Sequence, residues 1–204
     1  LRCVSQHASI LLKPLKIISD REARKFFMKT LSMDCPIIFI NIQNEKDLIN
    51  SSVMMAITTS LVFSKDNKIN VVADRIIQPL ISSSLFFCQS NGDIVFSKYN
   101  DHMTKAIKNI KYYGANSIMS KRKDVVLAIV GNKPDPKILT LCLGMTRRKI
   151  VFIGRLEVVN ESPLWTAMLN TLPNEWIIDF PSEFVEKEIP PIRALNDVIP
   201  TIFN

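Results

Sequence analysis

Short apolar runs rich in β-branched residues recur along the chain and none grows long. They are Ile37 to Ile42 (IIFINI), Ile69 to Ala73 (INVVA), Val125 to Val130 (VVLAIV) and Ile150 to Ile153 (IVFI). Such runs between turn signals read as buried strands. None approaches the ~18–20 residues needed to cross a bilayer. The apolar stretch Ile10 to Leu12 is too short for a signal-peptide core, so no targeting segment is expected.

Segments of helical period stand between the runs. Ser19 or Asp20 would cap a helix in which Ala23, Phe26, Phe27 and Leu31 recur on one face, ended by Pro36. Asn44 begins a second, with Leu48, Ile49 and Ser52 together. Asp101 to Tyr113 is the strongest helical pattern: Asp101 caps it, Met103, Ala106, Ile107 and Ile110 form the apolar stripe, and Gly114 follows. Pro163 to Leu172 opens on a first-turn proline, and Trp176 to Phe180 reads as a strand.

Val53 to Phe63 and Lys137 to Leu143 fit helix and strand equally. Lys65-Asp66-Asn67-Lys68 predicts a hairpin turn into Ile69. Asn91-Gly92 between Leu85 to Gln89 and Ile94 to Ser97 predicts a second hairpin. Asp74 to Leu80 is expected to be a short helix stopped by Pro79.

The expected fold is therefore α/β or α+β: one compact domain over residues 1–180, with a mixed sheet and several helices. Residues 181–204, rich in Pro and Glu, form an acidic segment expected to pack on the surface.

Charge is unevenly spread. The chain carries +7 overall, but residues 1–155 hold 24 basic and 11 acidic side chains, and residues 156–204 hold 2 and 8. A basic body of this kind predicts a polyanion partner, RNA or an anionic lipid surface, or an acidic protein surface. Two clusters would carry the contact. Lys105, Lys108 and Lys111 are spaced by three and would share one helical stripe, continued by Lys121, Arg122 and Lys123; Tyr112 and Tyr113 beside them could stack bases. Arg147, Arg148 and Lys149 enter a strand, with Arg155 after it.

Catalytic and cofactor chemistry finds little support. The five glycines, Gly92, Gly114, Gly131, Gly144 and Gly154, are isolated, so no phosphate-cradling loop forms. Asn132, Lys133 and Asp135 look like the N-K-x-D guanine-specificity motif of small GTPases, but no G-x-x-x-x-G-K-[ST] loop accompanies them. Cys3, Cys35, Cys88 and Cys142 are dispersed in mostly apolar strings and read as reduced, buried thiols of a cytoplasmic or nuclear protein. Only His7 and His102 are present, neither at ligand spacing to a cysteine, so no metal or other cofactor is expected. No G-x-S-x-G elbow accompanies any serine.

The profile is that of a non-enzymatic, self-associating assembly protein engaging a polyanion, as a viral matrix-type structural protein does. An interaction adaptor within a larger complex is the alternative, and a nucleotide-using enzyme a more distant one.

Overall fold

A computed structural model describes residues 21–63, 69–83, 85–86, 89, 108–114 and 123–181. In chain order the elements are α1 (Arg21–Ser32), β1 (Ile37–Asn41), a 3-10 turn (Glu45–Asp47), α2 (Leu48–Phe63), β2 (Ile69–Ala73), β3 (Lys111–Gly114), β4 (Lys123–Ile129), α3 (Pro136–Met145), β5 (Thr146–Gly154), α4 (Leu156–Val159), α5 (Pro163–Leu169), a second 3-10 turn (Asn174–Trp176) and β6 (Ile177–Asp179).

The strands form one sheet in the order β3-β2-β4-β5-β1-β6, and every pairing is parallel. The α/β alternative is the one adopted, and the sheet is not mixed among the described strands. The reason lies in burial. β2 is buried at every position and β4 at its last five, the mark of strands covered on both faces.

Alternate residues serve the two faces. Ile38, Ile40, Val71, Leu127, Val151 and Ile153 point into a core shared with α2 and with Ile81 and Leu85. Phe39, Val72, Val126, Ala128 and Phe152 point into the other, against Ile138, Leu139 and Cys142 of α3 and Trp165 of α5. Trp165 meets Phe152 edge to face, with ring centroids 5.1 Å apart. The β1–β2 connection runs on the first face toward one edge of the sheet. The β4–β5 and β5–β6 connections run on the second face toward the other edge. Connections travelling in opposite directions on opposite faces share one hand, as parallel crossovers require.

Four local expectations are revised. Val53 to Phe63 is helical, so no hairpin joins it to β2. Residues 85, 86 and 89 are helical, which removes the first strand of the Asn91-Gly92 hairpin; the rest of that hairpin lies outside the described residues. Pro79 does not stop the helix after β2 but sits in its first turn, with helix continuing over residues 78–83. The helix expected over Asp101 to Tyr113 does not reach its end: Lys111–Gly114 is β3, paired with Asn70 to Ala73 of β2. The segment 181–204 lies, but for Pro181, outside the described residues.

α2 is the fold's centre on the first face. Leu48, Ser51, Ser52, Val53, Met55, Ala56, Ile57, Thr59 and Ser60 are all buried, so the burial of its described side chains is wider than one apolar stripe. The hydroxyls of Ser51, Ser52 and Thr59 have no hydrogen-bond partner among the described residues.

Candidate polyanion-binding rim

In an all-parallel sheet the strands begin at one edge, so residues scattered through the sequence gather there. Lys111 opens β3, Lys123 opens β4, and Arg147 and Arg148 lie at the start of β5. Lys111 pairs in register with Asn70, and Lys123 with Thr146. Asn70 is also level with Val126, so Lys111 stands three residues, about 10 Å, further along the sheet than Lys123, and three strand spacings of about 4.8 Å, roughly 15 Å, separate β3 from β5 across it.

The ladder between β4 and β5 is irregular here. Lys123 pairs with Thr146 but Val125 pairs with Lys149, so β5 has one residue more than β4 over the same stretch. A bulge of this kind breaks the strict alternation of faces. Arg147 and Arg148 are consequently both exposed, and Lys149 turns inward.

Lys149 therefore leaves the predicted surface cluster. It is buried, and its ammonium donates to the carbonyl oxygens of Leu31 at 2.8 Å and Met33 at 2.6 Å, at the C-terminal end of α1. A cation there satisfies last-turn carbonyls and complements the helix dipole. Burial pushes its ammonium down from the ordinary lysine value, with the neighbouring Cys35 sulfur and Asp34 pulling it partly back.

The lysine stripe is revised as well. Lys108 is exposed and lies in a turn of helix at residue 108, whereas Lys111 belongs to a strand, so the two do not share a helical face. Lys105, Lys121 and Arg122 lie outside the described residues. Lys123 places its ammonium 5.1 Å from the ring centroid of Tyr113, a cation–π contact. Tyr112 is packed against the first core and Tyr113 against the second, so both rings are engaged by the protein itself rather than standing free for base stacking. Arg147 and Lys111 make no ion pair or side-chain hydrogen bond among the described residues. Acidic groups near this edge are Asp34 and Asp124.

The opposite edge, where the strands end, is where open α/β sheets usually take ligands. Here its loops bind one another. Asn132 donates its amide to Glu45, and Glu45 and Glu157 both pair with Arg155. Asn41 donates to Asp179 at 2.6 Å and accepts from the Leu156 amide at 2.8 Å. Glu45 and Asp47 place carboxylates in the turn leading into α2, where a phosphate would otherwise meet a helix N-terminus. Asp135 accepts from the Lys137 amide and caps α3, so the N-K-x-D triplet is accounted for by a turn and a cap. Arg155 belongs to this edge and not to the rim.

Asp74, at the end of β2, is buried. Desolvation raises its carboxyl above the ordinary aspartate value, opposed by the backbone amides of Arg75, Gly131 and Ile76. Its Oδ2 has no hydrogen-bond partner among the described residues.

Cys35 and Cys142 are free and buried, and burial pushes the Cys142 thiol up to about 12 and the Cys35 thiol upward too, which suits neither to nucleophilic work. Among the described residues, no group of three or more His, Cys, Asp or Glu side chains is placed to hold a metal ion. No described helix is long and apolar enough to cross a membrane.

No family model matches the chain. No curated protein matches it either. Among solved structures it is similar to Rif2 in its complex with the C-terminal domain of Rap1, with a TM-score of 0.37 and 13% identity over 97% of this chain and 71% of that one. A likeness at this level carries no functional argument.

Proposed function

We propose that this chain is a non-catalytic binding domain that holds a nucleic-acid phosphate backbone along the amino-terminal rim of its sheet. The observation that supports the reading is the set of cations at the starts of three strands: Lys111, Arg147 and Arg148 are exposed, and Lys123 between them is half-buried against Tyr113. A few cations set obliquely across the sheet edge suit a linear polyanion better than a flat lipid surface, which a broad basic face would serve. Both tyrosines are engaged elsewhere, so the contacts fall on phosphates and are indifferent to base sequence.

The test is binding of a single-stranded RNA oligonucleotide across a salt series. Lys111→Glu combined with Arg147→Glu should weaken binding and flatten the log–log salt slope by about 1.4, at close to 0.7 per phosphate contact on a single strand. Lys133→Glu, at the opposite edge, should leave the slope unchanged. Equal slopes for the parent and the double variant would refute the rim; binding to anionic vesicles but not to RNA would replace nucleic acid with membrane.

A second reading, the adaptor, is favoured by a separate observation. Ile76, Leu80 and Phe86 follow β2 and are 67%, 51% and 61% exposed. Leu80→Ser with Phe86→Ser would abolish capture of a protein partner while leaving RNA binding intact.

A further inference from the structure

A cavity of about 500 Å³ opens between the α1–β1 turn and the starts of β4 and β5, with Arg148 and Lys149 in its wall. That volume lies in the range of small-molecule sites. Leu31, Met33 and Val125 supply apolar surface, and Asp34 a carboxylate.

Lys149 is 6% exposed, yet the two groups it binds are neutral carbonyls. They take two of its three ammonium protons. No carboxylate lies within ion-pair distance of it among the described residues, and the third proton has no protein acceptor there. A buried ammonium whose neighbouring carboxylate, Asp34, stands beyond ion-pair distance is only partly compensated, and an anion entering the cavity would lower that cost.

We propose that this cavity binds a phosphate monoester, its phosphate held by the Lys149 ammonium and the Arg148 guanidinium. Arg148 supplies a planar fork and Lys149 a point charge, the pairing that suits tetrahedral phosphate oxygens. The apolar wall accommodates the body of the ligand. Asp34 repels a second anionic group and accepts from a hydroxyl, so the ligand is a sugar phosphate rather than a pyrophosphate. That chemistry has two sources: a free sugar phosphate, or the 5′-phosphorylated end of a strand lying on the adjacent rim. The site itself does not depend on the rim reading.

The experiment is thermal unfolding of the full chain with ribose 5-phosphate, with sodium chloride matched for ionic strength. At ten times the dissociation constant the midpoint should rise by about 3–6 °C. Arg148→Gln, at an exposed position, should keep the fold and lose the rise. Lys149→Met should lose it as well, its fold being checked by circular dichroism. The site is overturned if no rise occurs up to about 10 mM ligand, if chloride gives the same rise, or if Arg148→Gln retains it. Tighter binding of a 5′-phosphorylated than a 5′-hydroxyl oligonucleotide, lost in Arg148→Gln, assigns the source to a strand end. Equal binding of the two, with the ribose 5-phosphate rise present, assigns it to a free sugar phosphate. Failure of the Lys111 and Arg147 variants to change RNA binding would refute the rim and leave this site standing.

Discussion

The ammonium of Lys149 lies 2.8 Å from the carbonyl oxygen of Leu31, 118 residues earlier in the chain. This contact ties the end of α1 to the start of β5. Hydrogen bonds to charged groups contribute about 1.5–3 kcal/mol each, offset here by the cost of burying the ammonium. Lys149→Met should therefore lower the unfolding free energy by about 1–3 kcal/mol, against less than about 0.5 for Arg147→Gln at an exposed position. Urea unfolding of the two variants checks it, and equal stabilities would show that the cap contributes nothing.

The unpartnered hydroxyl of Thr59 on α2 predicts a gain. A buried hydroxyl without a hydrogen bond costs about 1–3 kcal/mol, and valine has nearly the same shape. Thr59→Val should raise stability by about 1 kcal/mol, read as a higher urea midpoint with an unchanged slope. A loss of stability would mean that the hydroxyl has an acceptor in solution.

Asp74 predicts a pH dependence. Its folded pKa is raised, so the folded chain holds a proton that the unfolded chain releases. The associated stability is fully present below the unfolded aspartate value, near 3.9, and is lost as pH rises through the higher folded value. Asp74→Asn keeps an oxygen for the backbone amides and removes the charge. It should be more stable than the parent at pH 7, with the advantage shrinking toward pH 4. A constant difference in melting midpoint between those two pH values would contradict the desolvation argument.

How far the sequence could be read follows from where the information lies. β1, β2, β5, β6 and the core of β4 were legible because β-branched runs between breakers are local signals. α2 was legible only at its start, where Leu48, Ile49 and Ser52 share a face; over Val53 to Phe63 it was not, because burial of Val53, Met55, Ala56, Ile57, Thr59 and Ser60 extends beyond one stripe and weakens the 3.6-residue contrast that marks amphipathic helices. The parallel pairing was hidden too. Lys111 meets Asn70, and Val125 meets Lys149, through register that no short window contains. The basic residues themselves were visible, but their fates were not. Arg147, Arg148 and Lys149 are three like residues in a row, and one extra residue in the β5 ladder sends two outward and one into the core. The spacing of Lys105, Lys108 and Lys111 suggested a helical stripe, which β3 interrupts at Lys111.

Two glycines separate backbone freedom from close approach, because no described glycine has a positive φ. Gly144 lies in α3, and a Cβ there would meet nothing within 4 Å. Its cost is the entropy of glycine in a helix, so Gly144→Ala should stabilise the protein by about 0.5–1 kcal/mol. Gly154 ends β5, and a Cβ there would come within 3.1 Å of the Val130 Cβ and 3.3 Å of the Val130 carbonyl oxygen. That oxygen is backbone, so relief requires the β4 end to move. The amide of Val130 donates to Ile153 at 2.8 Å and the Gly154 carbonyl accepts from Ile42 at 2.8 Å, so the displacement strains hydrogen bonds on both sides. Overpacking of this kind costs about 1–3 kcal/mol. Gly154→Ala should therefore destabilise by that amount, opposite in sign to Gly144→Ala. Measuring both by urea unfolding tests the packing of β4 against β5 directly: two changes of the same sign would show that the carboxyl ends of these strands are not packed as described.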